Sequence, residues 1–175
     1  MTKQHSPVSN AYAGLPREDA LLKLTRSMGF CNARYVPIAN KSVEHLGLSE
    51  ASTWPLLAVS RYGDGLRQGV IADILGIKAP SLTRPLDYLE GEGLIERRDD
   101  PVDGRAKTLH LTPKGRQLTV QIEAALATLR HHLFENASDA DVEACLRVFS
   151  ALEDRMGRVT PTVEPLKNKN HNKHK

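Results

Sequence analysis

Apolar residues recur along most of the chain at spacings that predict α-helices. From Arg17 to about residue 47 they follow a mixed helical spacing, softly interrupted near Pro37, which predicts a long first helix. Ser49 is placed to cap a second helix that runs through Tyr62 and is ended by a Gly-Asp-Gly turn at 63–65. Residues 1–16 show no such period, so we expect a flexible N-terminal arm.

Two short amphipathic segments follow, with almost no linker between them. Residues 66–78 carry a one-sided apolar stripe and then Gly76, which suits the left-handed position after a helix. In residues 79–90 the stripe is Leu82, Leu86 and Leu89, at i, i+4 and i+7. Two short helices joined by a tight turn that contains glycine predict a helix-turn-helix.

The second of these helices has an outer face and an irregular start. At about 100° per residue, Pro80, Arg84 and Asp87 point away from the leucine stripe, and the flanking positions are Ser81, Thr83 and Tyr88. Pro80 falls in the first turn, where its missing N–H does no harm. Pro85 falls deeper, where it would deprive the Ser81 carbonyl of its partner. We therefore expect a bend or an irregular helix start.

Alternation replaces the helical period after Gly93. Residues 94–98 and 108–111 alternate on either side of a charged loop, and Asp103-Gly104 between them is a turn signal. This pattern predicts a β-hairpin. A helix-turn-helix followed directly by a hairpin is a winged helix, in which one helix enters the major groove of DNA and the hairpin lies along the backbone or in the minor groove. The charge around the turn then has a purpose, since an arginine at the tip can reach a narrow minor groove.

Two further helices complete the pattern. Thr112 as N-cap and Pro113 start one that runs to about Glu135, and Ser138 starts another. Their apolar stripes are longer than the helix-turn-helix can cover. We therefore expect them to pack with the first helix of a second subunit, in a homodimer.

Composition fits a mainly helical protein with a small β-hairpin. The overall charge is too small to account for binding to DNA. The net charge of +3 comes from the C-terminal segment, because residues 166–175 hold four lysines and no acid. Without this segment 20 basic and 21 acidic residues remain, so the rest of the chain is close to neutral. Affinity for DNA must then come from local placement of charge. The absence of a long apolar run or an apolar N-terminal segment predicts a cytoplasmic protein with no membrane contact. We expect a disordered basic tail at 159–175.

These residues resemble one regulator family. The run IKAPSLTRPLDYLEGEGLIER followed by DPVDGRAKTLHLTPKG is similar to the winged-helix core of MarR-family transcriptional regulators, particularly the SlyA-like branch. The likeness is specific over residues 48–116. It implies DNA binding by 48–116, dimerisation by 17–47 and 117–158 within one domain of residues 17–158, and a short strand before the third helix. It also implies a pseudo-palindromic operator and, usually, repression relieved by a small ligand.

Carried over by position, the resemblance implies a set of DNA contacts on the second short helix and on the wing. Arg84 is the expected base reader through guanine O6 and N7, and Ser81, Thr83 and the first-turn amides are expected on phosphates. Asp103 is expected to hold the wing Arg105 by paired hydrogen bonds. The branch usually has Asp-Arg-Arg where this chain has Asp-Gly-Arg at 103–105, so one wing cation is missing. The expected contacts are Pro80, Ser81, Thr83, Arg84, Asp103, Arg105 and Lys107.

The resemblance also implies an effector pocket between the dimer helices and the winged-helix lobe. Its expected members are Ser27, Phe30, Arg34, Tyr35 and Trp54. An arginine beside aromatic rings suits a small aromatic carboxylate, because it can pair with the acid while the rings cover the flat apolar part. The alternative for each residue is ordinary packing.

Three alternatives remain open at this stage. Cys31 allows a thiol-based redox switch, whereas the simpler expectation is that Cys31 and Cys145 are small buried residues. A winged helix that binds only protein would not need cations on both the helix face and the hairpin tip. An enzyme is not expected, since the sequence has no phosphate loop, zinc motif or nucleophile elbow, and no cofactor or metal is predicted.

Overall fold

The computed structural model describes residues 12–157, which form a winged helix-turn-helix with long helices at either end of the chain. The tail predicted at 159–175 and most of the predicted N-terminal arm lie outside the described residues. The elements are α1 (Arg17–Val43), α2 (Glu50–Tyr62), β1 (Leu66–Arg67), α3 (Gln68–Leu75), α4 (Thr83–Gly91), β2 (Ile95–Asp99), β3 (Lys107–Leu111), α5 (Pro113–Leu133) and α6 (Asp139–Met156), with 3-10 turns at Glu44–Leu46 and Ala79–Leu82.

The core lies where α2, α4 and α5 meet. The stripe predicted on the second short helix is fully buried at Leu82, Leu86 and Leu89. It packs with a run of buried residues in α2 and with Ile122 and Leu126 of α5. Because this stripe faces inward, the opposite surface of α4 faces solvent.

The predicted hairpin is present and gains a third strand. The sheet is antiparallel, in the order β1-β3-β2, and Arg97 of β2 lies opposite Leu109 of β3. β1 adds Leu66 opposite Leu109 on the other edge of β3, which is the short strand that the resemblance implied. The loop at 100–106 is closed by the Asp100 N–H, which donates to the Ala106 carbonyl at 3.1 Å.

The expected irregularity at Pro85 takes the form of a split helix. A 3-10 turn covers Ala79–Leu82, and α4 then begins at Thr83. Pro85 is thus the third residue of α4, in the first turn, where a backbone N–H has no partner within the helix. The missing N–H therefore costs α4 nothing, and the Ser81 carbonyl belongs to the preceding 3-10 turn.

Both α5 and α6 begin at the predicted caps. The Thr112 hydroxyl accepts from the Gly115 N–H at 3.0 Å, and Ser138 forms a capping box with Asp141. The Ser49 hydroxyl does not cap α2; it donates to the Ser52 hydroxyl at 3.2 Å instead.

The terminal helices leave much apolar surface uncovered. No residue of α6 is buried, and α1 buries only Ala39 and Val43. The expectation that both cysteines are small buried residues is wrong for this chain, since Cys31 and Cys145 are exposed. Cys31 lies on α1, whose two buried residues are both near its C-terminal end, and Cys145 lies on α6. No helix in the same range is long and apolar enough to cross a membrane.

Candidate nucleic-acid interface

The outer face of α4 presents Arg84 to solvent, as the leucine spacing predicts. Arg84 is exposed, and its guanidinium has no hydrogen-bond or ion-pair partner within residues 12–157. Asp87 lies one turn further along the same face of α4 but pairs elsewhere. Arg84 is thus an available cation on the exposed side of a helix whose inner side is buried.

The residues at the start of this helix are exposed but partly occupied. Pro80, Ser81 and Thr83 all face solvent. The Ser81 N–H donates to the Lys78 carbonyl at 2.9 Å, and the Thr83 N–H donates to the Pro80 carbonyl. The expectation that first-turn amides are free for phosphates is therefore wrong for these two, since the 3-10 turn uses them. The Thr83 hydroxyl accepts from the Gln68 side-chain amide at 3.3 Å, and both residues remain exposed.

A side chain of α3 holds the start of α4 in place by hydrogen bonds. The Gln68 side-chain amide donates to the Ala79 carbonyl at 2.7 Å and to the Thr83 hydroxyl at 3.3 Å. One residue at the N-terminus of α3 thus holds the turn that leads into α4. The two helices of the helix-turn-helix keep a defined relative position through this contact.

The wing differs from the expected arrangement in one respect. Asp103 does not pair with the Arg105 guanidinium; it accepts from the Arg105 backbone N–H at 3.1 Å. The Arg105 side chain is exposed and has no partner within residues 12–157. Lys107, also exposed, forms an ion pair with Asp99 at 2.5 Å. The prediction of a guanidinium held by Asp103 is wrong because this carboxylate is used for the turn of the loop.

The acid that organises the loop is Asp100, which sequence reasoning missed. One of its carboxylate oxygens accepts from the N–H groups of Val102 and Asp103, at 2.8 and 3.1 Å, and the other accepts from the Arg67 guanidinium at 2.6 Å. The bond from Arg67, followed by that from the Val102 N–H, lowers the pKa of Asp100 to about 2. Arg67 belongs to β1, so the third strand braces the wing loop. An Asp followed by Pro and a second Asp three residues later was the available signal.

A second missed residue, Arg97, joins the wing to α4. Its guanidinium donates to Asp87 at 2.7 Å and also to Glu90, three residues further along α4. Burial lowers the pKa of Arg97, but the hydrogen bonds to the two acids outweigh this effect and leave the pKa above its usual value. Its side chain is only 24% exposed. The hairpin and α4 are thus connected by a two-acid contact close to Arg84.

Two of the five expected effector residues come together. Tyr35 of α1 and Trp54 of α2 line an open groove of about 440 Å³, whose other walls include Ile74 and Leu75 of α3. The Trp54 indole N–H donates to the Asn40 side-chain oxygen at 3.0 Å. The groove therefore has an aromatic wall with a fixed indole.

The other three lie elsewhere on α1. Ser27 and Phe30 line a separate pocket with Lys23 and Arg26. The Arg34 guanidinium lies over the Phe30 ring, 5.1 Å from its centroid, and both residues are exposed. Ser27, Phe30 and Arg34 thus form a cationic and aromatic patch on α1, apart from the groove that Tyr35 and Trp54 line.

Comparisons with known proteins agree with this architecture. The structure of the transcriptional regulator PA3341 superposes with a TM-score of 0.70 at 29% identity, over 76% of this chain and 97% of that one. The repressor CouR, solved bound to a 23-mer DNA duplex, gives a TM-score of 0.64 at 28% identity, over 80% of this chain and 99% of that one.

The regulator SlyA shares the fold at lower identity. Its structure gives a TM-score of 0.66 at 19% identity, over 76% of this chain and 93% of that one. This likeness shows the fold alone, so the SlyA-like branch stays a prediction. A model of the MarR family matches residues 46–106, which run from the end of the 3-10 turn after α1 to the wing loop. Together with the winged-helix geometry above and solved neighbours that are transcriptional regulators, this match identifies residues 46–106 as a MarR-family winged-helix region.

Proposed function

We propose that this protein is a cytoplasmic, homodimeric repressor that binds a pseudo-palindromic operator in double-stranded DNA and is released by a small ligand. The observation that carries DNA binding is a pair of arginines, Arg84 on α4 and Arg105 on the wing loop, that have no partner within residues 12–157. Arg97 connects α4 to the hairpin that bears this loop. The DNA-bound structure of CouR, at 28% identity over most of both chains, supports the same function.

The two arginines suit different parts of a duplex. A helix in the major groove can present Arg84 to guanine O6 and N7, which gives sequence preference. A hairpin at the flank can place Arg105 in the minor groove or against phosphates, which gives affinity with less discrimination. Ser81 and Thr83 lie at the start of the helix, where hydroxyls contact phosphate oxygens and fix its register.

The uncovered faces of the terminal helices support a homodimer. Leu21, Leu22 and Leu24 of α1 and Leu146 and Phe149 of α6 are all at least 39% exposed. A monomer rarely leaves so many large apolar side chains in water on two helices without a partner surface. Two copies related by a two-fold axis would bury these helices together and would present two copies of α4 to two half-sites about one helical turn apart.

The groove beside Trp54 supports regulation by an aromatic ligand. Its aromatic wall lies between α1 and α2 on one side and the end of α3 on the other. A flat apolar ring fits such a wall. A ligand there would contact both a dimer helix and the helix-turn-helix, and could shift the spacing between the two copies of α4. Arg34 precedes Tyr35 on α1, but its guanidinium lies over the Phe30 ring outside the groove, so a carboxylate in the groove would pair with Arg34 only after this side chain has turned.

DNA binding is tested by selecting genomic fragments with the purified protein and measuring affinity for the enriched duplex and a scrambled one by fluorescence anisotropy. Arg84→Ala should weaken operator binding by about 1 to 3 kcal/mol and relax preference at one base pair. Arg105→Ala should weaken binding with less change in that preference. Lys41→Ala, which removes an exposed cation near the end of α1, is the control and should bind like wild type. Unchanged affinity in both arginine variants would refute the assignment.

The dimer and the ligand need separate measurements. Light scattering after size exclusion should give twice the chain mass, and Phe149→Glu should yield a monomer with weaker operator binding, because it places a charge in the apolar face. A monomeric wild type at micromolar concentration would contradict the dimer. Titration with a panel of aromatic acids should release operator from wild type and release it less from Trp54→Ala. No heat and no release across the panel would remove the ligand proposal.

A further inference from the structure

The contact between Arg97 and α4 involves charges that lie next to the DNA-facing surface. Asp87 and Glu90 are three residues apart, so they stand one turn above each other on α4. Arg97 reaches both from β2, donating to Asp87 at 2.7 Å and to Glu90 with its other terminal nitrogen. Asp87 is 57% exposed and Glu90 is 40% exposed. One partly buried guanidinium thus neutralises two acids that solvent reaches.

Arg84 would otherwise have one of these acids as its own neighbour. Asp87 is three residues after Arg84, and oppositely charged residues at this spacing on a helix attract each other. Within residues 12–157, however, Arg84 forms no ion pair, and Asp87 is bonded to Arg97 instead. The strand therefore competes with Arg84 for Asp87 and occupies it.

We propose that Arg97 is a positioning residue that occupies Asp87 and Glu90 so that Arg84 stays free to reach a base. This inference rests on the proposed DNA-binding function. Without Arg97, Asp87 would capture the Arg84 guanidinium. The two uncompensated carboxylates would also repel phosphates within the screening length of about 10 Å at moderate salt. Both effects reduce operator affinity without removing a residue that touches DNA.

Arg98 provides a matched control on the same strand. Because side chains alternate along a strand, Arg98 points to the opposite face from Arg97, where it pairs with Glu96 at 2.9 Å. Arg98→Ala removes the same charge from the adjacent position without touching α4. It therefore separates loss of a cation on the hairpin from release of the two acids.

The test is a cycle of variants, each checked for folding by circular dichroism and measured on the enriched operator by anisotropy. Arg97→Ala should weaken binding about tenfold. Adding Asp87→Asn and Glu90→Gln to Arg97→Ala should recover most of the lost affinity. The same two changes should alter the operator affinity of wild type or of Arg98→Ala by less than about threefold. If Arg97 only held the hairpin in place, removing the two acids would not restore operator affinity to Arg97→Ala. Arg97→Lys keeps the charge but cannot donate to both acids from two separate nitrogens, so its operator affinity should lie between those of wild type and Arg97→Ala.

Two results would overturn the inference. One is an Arg97→Ala protein that binds the operator like wild type; the other is a triple variant as weak as Arg97→Ala alone. If Arg97→Ala does not fold, Arg97→Lys takes its place. The inference is then overturned if adding Asp87→Asn and Glu90→Gln to Arg97→Lys does not restore operator affinity. Arg84→Ala and Arg105→Ala on the same duplex separate the two proposals. If Arg84→Ala and Arg105→Ala both bind normally, the proposed function fails. If they bind weakly and only the Arg97 variants bind normally, this inference fails alone.

Discussion

Gly115 is the position where one added methyl group should be most damaging. It is the third residue of α5, and a Cβ placed there would lie 1.9 Å from the Leu94 carbonyl oxygen and 2.9 Å from its carbon. That oxygen is held in place, because it accepts from the Thr112 N–H at 3.1 Å. The substitution Gly115→Ala therefore meets backbone, which cannot turn away as a flexible side chain can.

The expected cost follows from this distance. An ordinary carbon to oxygen contact is about 3.3 Å, so α5 and the segment before β2 would have to separate by more than 1 Å. Overpacking of this kind costs about 1 to 3 kcal/mol. Alanine recovers about 0.5 to 1 kcal/mol through its better helix propensity. We expect a net loss of about 1 to 2 kcal/mol, which lowers Tm by about 2 to 8 °C for a chain of this size.

Thermal unfolding followed by circular dichroism, at one protein concentration, measures this loss. The control is Gly69→Ala in α3, where a Cβ would meet nothing within 4 Å. The control should unfold within about 3 °C of wild type or slightly above it. An unchanged or raised Tm in Gly115→Ala would show that α5 does not approach the hairpin this closely, and the reasoning would fail.

Two further predictions concern the segments around the wing. Because the pKa of Asp100 is lowered to about 2, its pairing with Arg67 stabilises the fold at neutral pH and is lost as pH falls from about 4 towards 2. Denaturant melts at several pH values should therefore show a shallower acid decline for Asp100→Asn, and parallel curves would contradict this. Thr112→Ala removes the cap that accepts from the Gly115 N–H, and equilibrium unfolding should show a loss of about 1 kcal/mol. A loss below about 0.3 kcal/mol would show that the cap contributes little.

Local signals predicted the helix-turn-helix and the wing because each depends on residues close together in sequence. The leucines at 82, 86 and 89 fix which side of α4 is buried, and that alone exposes Arg84. Thr112-Pro113 and Ser138 mark helix starts through contacts within one turn. Such patterns need no knowledge of the partner element.

The contacts that shape the interface join residues far apart in sequence, and no local pattern specifies them. Arg67 and Asp100 are 33 positions apart, and Arg97 meets α4 only after the chain has turned through Gly93. The choice of Asp100 rather than Asp103 as the loop's main acceptor depends on where β1 places Arg67. For the same reason, helical spacing could not show that Tyr35 and Trp54 share a groove while Ser27, Phe30 and Arg34 do not.

The central claim, that α4 and the wing read one duplex together, is tested most directly by methylation interference on the enriched operator. Methylation at guanine N7 blocks the major groove, and methylation at adenine N3 blocks the minor groove. Wild type should show both kinds of interference in each half-site. Arg84→Ala should lose a guanine position and keep the adenine positions, and Arg105→Ala should do the reverse. If both variants keep the complete wild-type pattern, neither arginine contacts a groove and the account is contradicted.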